Sequence, residues 1–463
     1  MTELNKQQET KKSWIRNSLT FKMGVIGILI LILLIPLSFI KDLIKERKQL
    51  QNEVIADINK GWGEESQLYG PILKIPYKVY SKSSITDEKT GETKIIKDES
   101  TYYAYFFPDE LNVDGEIITE PKHKGIYTTS VFTAKTKIMG NFGVPDFKSL
   151  EIPEENIVWE KAQIVMQTSN LKGIKDALQI NLNGKNYHFE SQFSNDTKPK
   201  PYYYDEGKYR VLSKHTIITK SFDFNELYKE KPISFSVNYN VSGSKRFEII
   251  PIGKETKMHL ISNWKNSGFE GEYLPYNPDK IKPDGFDASW KVLQMNRPFS
   301  QQFNYLPDLQ EYAFGVNFII PVDNYKQNER SAKYGYLMIA LTFLLFFLIQ
   351  TMSKINIHPF QYLMIGLALV IFYTLLISIS EHSNFATAYL IAGSGVIVLI
   401  TLYSKSILKN WKFPVFIGSS LTALYGFIFV IIQLENYALL VGSIGLFVIL
   451  AAVMYSSRKI DWN

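Results

Sequence analysis

The stretch Pro359–Ser380 reads PFQYLMIGLALVIFYTLLISIS and contains no Asp, Glu, Lys or Arg. Twenty-two residues of α-helix reach about 33 Å, which is enough to cross the roughly 30 Å hydrocarbon core of a bilayer. A soluble helix of this length normally presents a polar face to water, and this stretch has none. The sequence therefore predicts a membrane-spanning helix here.

Five further stretches are also apolar and free of charged residues. They cover residues 23–40, 334–353, 385–403, 413–434 and 437–455. Nearly all the charge lies in residues 1–22 and 41–333. We therefore expect an α+β membrane protein with one N-terminal transmembrane helix, a large, mostly antiparallel β domain outside the cytoplasm, and a bundle of five transmembrane helices over residues 334–455.

The first predicted span follows a basic segment, residues 1–22, of the kind that also precedes the apolar region of a secretory signal peptide. After Ile40 the chain continues Lys41-Asp42-Leu43-Ile44, without the small residues of a cleavage site. We expect an uncleaved signal anchor that stays in the membrane.

Basic residues in short loops indicate the orientation of the predicted spans. With the N-terminus in the cytoplasm, the cytoplasmic segments hold eleven Lys or Arg residues, whereas the short outer loops 381–384 and 435–436 hold none. The sequence thus predicts that both termini, including the tail 456–463, are cytoplasmic. Residues 41–333 are then extracytoplasmic.

Residues 41–60 have a helical apolar pattern, because Leu43, Leu50, Val54 and Ile58 repeat at spacings of seven and four. Gly61 provides a stop for this helix. We interpret the segment as a stalk that continues the first span and packs its apolar face, with a plain amphipathic linker as the alternative.

Residues 61–333 change to the period-two pattern of β-strands. Asn183-Gly184 lies between alternating residues and predicts a hairpin turn, and Lys89–Glu92 predicts a second hairpin. Many short strands separated by Gly, Asn and Asp indicate a mostly antiparallel sandwich or twisted sheet assembly. The number of sub-domains in this region is left open by the sequence.

The sequence lacks most of the residue patterns that catalysis or cofactor binding would require. It contains no cysteine, and its six histidines show no metal-ligand spacing. Phosphate-binding and nucleophile-elbow motifs are also absent, so we predict no cofactor, no metal and no enzyme activity. The net charge of +6 is spread along the chain, which argues against nucleic acid as a partner. The pair Glu64-Glu65 is interpreted as solvated rather than catalytic.

The predicted spans contain no ionisable residue at mid-membrane depth, which argues against ion-coupled transport. Glu381 and His382 stand at the outer end of the third span. They form either a hydrated interfacial cap, which we favour, or a pH-responsive contact with the overlying domain, since histidine titrates near neutral pH.

Several motifs in a fixed order resemble the CreD family of bacterial inner-membrane proteins, from the first span to the C-terminus. Those that carry the resemblance are Gly61-Trp62-Gly63, Gly70-Pro71-Ile72-Leu73, Asn263-Trp264, Gly268-Phe269-Glu270-Gly271-Glu272-Tyr273-Leu274-Pro275, Gly285-Phe286-Asp287-Ala288-Ser289-Trp290, Pro321-Val322-Asp323-Asn324-Tyr325, Arg330-Ser331-Ala332-Lys333-Tyr334-Gly335, His358-Pro359-Phe360-Gln361-Tyr362-Leu363, Ser380-Glu381-His382 and Arg458-Lys459-Ile460-Asp461-Trp462. The resemblance is thin between residues 81 and 231.

The resemblance implies an inner-membrane protein associated with cell-envelope integrity or an envelope stress response, and it implies no catalytic residue. We interpret six motif residues as buried anchors and fold-defining turns. They are Trp62, Gly70, Pro71, Trp264, Gly271 and Trp290. A ligand groove lined by the three tryptophans is the sharper alternative.

Three hypotheses for function follow. The favoured one is a non-enzymatic envelope protein, embedded in the lipid bilayer, whose β domain binds an envelope protein, lipid or glycan. The second is a lipid-handling or transport protein built on the five-helix bundle. The third is a membrane-bound envelope hydrolase. A lateral apolar groove between the C-terminal spans would favour the second hypothesis. Two inward-facing carboxylates in a deep cleft of the β domain would favour the third hypothesis.

Overall fold

A computed structural model of the chain describes residues 19–86, 93–192, 201–204, 208–212, 214–228, 231–320, 324–353, 355–408, 410–434 and 437–458. The chain divides into two compact units. One is helical and consists of the chain up to Glu53 together with the chain from Val322 onward. The other runs from Val54 to Pro321 and is mostly β-sheet.

The described helices include six that are long and apolar enough to cross a membrane. The helices are α1 (Leu19–Trp62), α2 (Phe224–Tyr228), α3 (Asn324–Lys333), α4 (Gly335–Ser353), α5 (Pro359–Ser380), α6 (Phe385–Leu408), α7 (Lys412–Gln433) and α8 (Ala438–Ser457). The short helices α2 and α3 are the two that do not qualify. The predicted α+β membrane architecture is therefore confirmed, and one continuous helix, α1, covers both the first predicted span and the predicted stalk.

The core of the helical unit lies where α5, α6 and α7 pack together. Phe372 of α5 contacts Tyr389 of α6 and Tyr425 of α7, with ring centroids 5.3 and 4.9 Å apart. The Tyr389 hydroxyl donates a hydrogen bond to the carbonyl oxygen of Tyr425 at 2.9 Å. Gly366 allows Leu33 of α1 to approach α5, because a Cβ on this glycine would lie 2.1 Å from the Leu33 side chain.

Eighteen β-strands are described. They are β1 (Ser66–Thr86), β2 (Thr93–Phe106), β3 (Glu110–Lys124), β4 (Tyr127–Phe142), β5 (Gln163–Thr168), β6 (Gln179–Leu182), β7 (Lys185–Gln192), β8 (Pro201–Tyr204), β9 (Lys208–Val211), β10 (His215–Thr219), β11 (Ile233–Ser244), β12 (Arg246–Ile249), β13 (Glu255–Ser262), β14 (Ser267–Gly271), β15 (Ile281–Lys282), β16 (Gly285–Leu293), β17 (Gln302–Phe303) and β18 (Phe314–Phe318).

Sixteen of these strands form one hydrogen-bonded sheet in the order β14-β18-β12-β1-β5-β10-β7-β6-β11-β4-β3-β13-β16-β15, with β2 and β17 attached beside β1. The strands β8 and β9 pair separately. Pairing is antiparallel except between β1 and β12 and between β3 and β13. The β6–β7 hairpin joins the two halves of the sheet, and its turn is Asn183-Gly184, with φ values of 46° and 90°. The predicted Asn183-Gly184 hairpin is thus confirmed, whereas the predicted turn Lys89–Glu92 lies outside the described residues.

The two halves of the sheet face each other across an aromatic core. Phe132 of β4 contacts Phe247 of β12 and Phe318 of β18, with ring centroids 6.2 and 5.2 Å apart. Trp290 of β16 is 1% exposed and lies 6.0 Å from Phe314 of β18. Burial of such large rings is the main source of stability for a domain without disulfides.

Gly271 closes β14 with a backbone conformation that only glycine adopts easily. Its φ is +101°, and a Cβ at this position would lie 2.2 Å from the carbonyl oxygen of Ala313. Gly125, in the turn between β3 and β4, also has a positive φ of 62° but has open space around it. Gly271 therefore combines a φ outside the left-handed helical region with a close backbone contact, whereas Gly125 has neither.

We expect Gly271→Ala to destabilise the β-rich unit by about 2 kcal/mol or more beyond the effect of Gly125→Ala, because only the first variant adds a backbone clash to the strained dihedral angle. Thermal unfolding of the full detergent-purified chain, followed by the β-sheet circular dichroism signal, measures the difference. Equal losses in both variants would show that the Gly271 contact does not constrain the fold.

Candidate functional site

The β-rich unit contains an open cleft beside the segment that follows β16. Two adjoining cavities of about 830 and 510 Å³ share Lys254, Gln294 and Ser300 in their walls. The larger cavity is also lined by Leu293 and by Arg297. We call the combined space the Arg297 cleft. It combines polar and aromatic walls with a buried arginine, so it is a candidate ligand site.

Arg297 is 6% exposed, which is unusual for an arginine. Its Nη2 donates to the carbonyl oxygen of Ile252 at 3.3 Å and to Oε1 of Gln301, and its guanidinium carbon lies 4.4 Å from the ring centroid of Phe299. Its Nε and Nη1 atoms have no hydrogen-bond partner among the described residues. Within the same residues, no ion pair with a carboxylate is formed by this arginine.

Burial lowers the pKa of Arg297 to about 10, while the nearby Tyr273 and Tyr69 oppose that shift. The guanidinium therefore keeps its positive charge at neutral pH. A buried charge that lacks a partner costs several kcal/mol, and buried charges in proteins are usually paired. The wall of the cleft thus holds a buried positive charge that an anionic ligand would help to compensate.

The rest of the cleft combines one ion pair with aromatic walls. Lys254, which lines both cavities, has its Nζ 2.7 Å from Oδ1 of Asp109, which lines the smaller one. Phe106 and Phe107 line the smaller cavity. The arrangement suits a ligand that has both an anionic group and an apolar part.

Sequence reasoning did not identify the cleft. The segment Asn296-Arg297-Pro298-Phe299 contains one cation beside a proline and an aromatic residue, which is the only local signal that it offers. Arginine residues of that kind are common on surfaces, and the sequence does not show that tertiary packing buries this one.

The three motif tryptophans make separate local contacts. Trp62 ends α1, and Lys122 Nζ lies 4.7 Å from its ring centroid. Trp264 donates its indole N–H to the carbonyl oxygen of Ile319 at 3.0 Å. Trp290 is enclosed in the core described above. Trp62 and Trp264 are half-buried, and Trp290 is buried. The roles of the three tryptophans as fold anchors or in ligand binding stay predictions.

The motif glycines lie where the backbone approaches a neighbouring strand. Gly70 has a φ of +139°, and its Cβ would meet the Met166 side chain of β5 at 2.8 Å. The pairing of β1 with β5 shifts register between Tyr69 and Ile72, which brackets Gly70 and Pro71. Gly70 and Pro71 therefore lie at an irregularity within β1, and Gly271 ends β14.

Glu381 and His382 differ in their surroundings within the helical unit. Glu381 Oε1 accepts a hydrogen bond from the Tyr325 hydroxyl at 3.2 Å and lies 3.7 Å from Nε of Arg47. The side chain of His382 is exposed. The structure therefore gives Glu381 the role of joining α1, α3 and the end of α5, and a pH-responsive role for the pair stays a prediction.

One histidine of the β-rich unit bridges two carboxylates. His259 Nδ1 lies 2.9 Å from Oδ1 of Asp114, and its Nε2 lies 3.0 Å from Oδ1 of Asp287. Asp287 also pairs with Lys282 at 2.7 Å. Burial opposes protonation of the imidazole, but the hydrogen bonds and negative charges of the two aspartates outweigh it and raise the pKa of His259. In the part of the chain that is described, no group of three His, Asp or Glu side chains could hold a metal ion.

A family model described as "Inner membrane protein CreD" matches residues 18–463. The chain belongs to the CreD family. The protein of Escherichia coli (strain K12) described as "Inner membrane protein CreD" is 28% identical over 452 residues, which are 97% of this chain and 94% of that relative. The CreD resemblance in the sequence motifs is therefore confirmed.

Membership in the CreD family and the six apolar helices make the chain a multi-pass inner-membrane protein that is embedded in the lipid bilayer. The match extends over both units, so the Arg297 cleft and the helical unit lie within the CreD region of the chain.

The raised pKa of His259 predicts a pH effect on stability. The protonated imidazole gains stability from its two carboxylates, so this contribution is fully present below its unfolded-state pKa of about 6.5 and is lost as pH rises through the higher folded-state pKa. We expect His259→Gln to reduce the difference in thermal midpoint between pH 6 and pH 9. His123→Gln is the control, because that histidine bonds the Thr128 hydroxyl instead. An unchanged pH dependence in His259→Gln would contradict the assignment.

Proposed function

We propose that the protein contributes to cell-envelope integrity without catalysing a reaction, and that its β-rich unit binds an anionic envelope component in the Arg297 cleft. Membership in the CreD family supports an inner-membrane role. The single observation that carries the binding proposal is the charge of the buried Arg297 in the wall of the cleft, which has no carboxylate partner among the described residues.

The carboxylates that border the cleft favour binding over hydrolysis. Asp109 is engaged by Lys254 at 2.7 Å. Asp146 accepts hydrogen bonds from the backbone N–H groups of Lys148 and Ser149 at 3.1 and 3.3 Å. A general acid and a general base need free carboxyl groups that face the substrate, and these two are already committed to structural contacts.

The proposal places the β-rich unit on the extracytoplasmic side, with both termini in the cytoplasm. Support comes from the basic residues of the short loops, because Lys405 and Lys412 flank the α6–α7 connection while the short outer loops 381–384 and 435–436 hold no Lys or Arg. An envelope component outside the cytoplasmic membrane could then reach the cleft.

The orientation is testable because the chain contains no native cysteine. We expect Asp284→Cys and His382→Cys to react with a membrane-impermeant maleimide in cells whose outer membrane alone is permeabilised. Asn410→Cys, between α6 and α7, should react only after the inner membrane is opened. Labelling of Asn410→Cys from outside would contradict the orientation.

The binding proposal is tested by site-specific photocrosslinking in cells that make the full chain. Benzoylphenylalanine replaces Met295 or Val144, which line the two cavities, or Ile281 as an exposed control outside them. We expect adducts with an anionic lipid or acidic glycan at the first two positions, and their loss when Arg297→Gln and Lys254→Gln are combined.

Folding of the charge variants is checked by thermal unfolding, and Arg297→Lys serves as the charge-conserving control. Adducts that persist after both charges are removed would overturn the assignment of the cleft. So would equal labelling from Ile281, because that position borders neither cavity.

A further inference from the structure

The helical unit contains an apolar cavity of about 830 Å³ between α4, α7 and α8. Three of its lining residues, Met352, Phe416 and Val448, are each more than half exposed, so the cavity opens at the surface of the helices. None of the residues described in α8 is buried. The cavity is therefore a lateral groove that faces the hydrocarbon of the membrane, and we call it the apolar groove.

Along α4 and α8, the apolar groove covers about half the depth of the bilayer. It begins at Leu341 of α4 and Gly445 of α8, and it ends at Met352 of α4 and Ser456 of α8. Eleven residue steps along α4 and α8 correspond to about 16 Å, which is close to half of a 30 Å hydrocarbon core. Along α7 the lining runs from the interfacial Lys412 to Phe427, which is about 22 Å. The groove therefore matches the length of lipid chain in a single leaflet.

One cation stands at the interfacial end of the apolar groove. Lys412, the first residue of α7, lines that end. Among the described residues it has no carboxylate partner. It lies in the first turn of α7, where the macrodipole also favours negative charge. An anionic headgroup at this level would meet both the ammonium group and the start of α7.

We propose that the apolar groove binds one phospholipid with an anionic headgroup, its acyl chain lying between α4, α7 and α8 and its phosphate beside Lys412. In the proposed orientation this lipid belongs to the cytoplasmic leaflet. The site is separate from the Arg297 cleft and does not depend on it.

The length of the groove distinguishes a lipid from another helix as its occupant. A transmembrane helix of a second copy would cross both leaflets and would need a contact surface along the full span. The groove ends near mid-membrane, where Phe427 fills the space beside Gly445; a Cβ on this glycine would lie 2.0 Å from the Phe427 ring. A half-depth apolar space with a cation at its interfacial end fits a single-leaflet lipid.

The test uses the full chain in nanodiscs of phosphatidylethanolamine and phosphatidylglycerol, with a photoactivatable diazirine in the phosphatidylglycerol acyl chain. We expect labelled peptides to map to the three groove-lining segments. Ala452→Trp fills the groove and should remove most of this labelling, whereas Ala451→Trp, on the adjacent residue that does not line it, should leave it unchanged. Both variants retain the same helix and the same added bulk.

The headgroup assignment is tested by Lys412→Gln. Because one lysine near a membrane surface contributes about 1 kcal/mol toward an anionic lipid, we expect groove labelling by phosphatidylglycerol to fall roughly fivefold. Labelling by a phosphatidylethanolamine probe should change little. Lys405→Gln is the control, because Lys405 lies over the Trp411 ring, with 4.0 Å to the centroid, and does not line the groove.

Three results would overturn the proposal. They are equal loss of labelling in Ala451→Trp and Ala452→Trp, labels spread evenly over exposed helix faces, and chain-to-chain crosslinks from cysteines placed in the groove, which would identify a second copy as the occupant.

Discussion

The structure depends on the absence of hydrogen-bond partners in hydrocarbon. Every backbone N–H and C=O group inside the bilayer must be satisfied within its own segment, which requires helices for the apolar stretches of this chain. For the same reason, the irregular loops, the long strands and nearly all the charge lie in the β-rich unit. That unit can contain a large sheet because water hydrogen-bonds to the backbone groups at its edges. Its apolar core is buried between the two facing halves of the sheet.

Composition was sufficient to predict the six spans, because twenty uncharged apolar residues such as those of α5 have few alternatives to a transmembrane helix. The Asn183-Gly184 hairpin was equally predictable, since both residues adopt positive φ easily. Strand order was not predictable. The parallel pair β1–β12 joins Ser66 to Phe247 across 181 positions of sequence, and no local pattern encodes such a partner.

The candidate sites depend on tertiary structure in the same way. Trp290 and Gly271 stand out in the sequence as motif residues, and the structure places them in the core and at a strand end. Arg297 and Lys412 do not stand out, because their significance comes from burial in one case and from an apolar groove between non-consecutive helices in the other. Both sites place a cation without a carboxylate partner, among the described residues, beside an apolar surface. They differ in that one lies in the β-rich unit and the other at the depth of lipid chains.

The most direct test of the central claim is an experimental map of the full chain in a native-lipid nanodisc, at a resolution that shows side chains. The account predicts non-protein density of an anionic group in the Arg297 cleft. A map in which a protein carboxylate pairs with Arg297, or in which the guanidinium turns out of the cleft into bulk water, would contradict it.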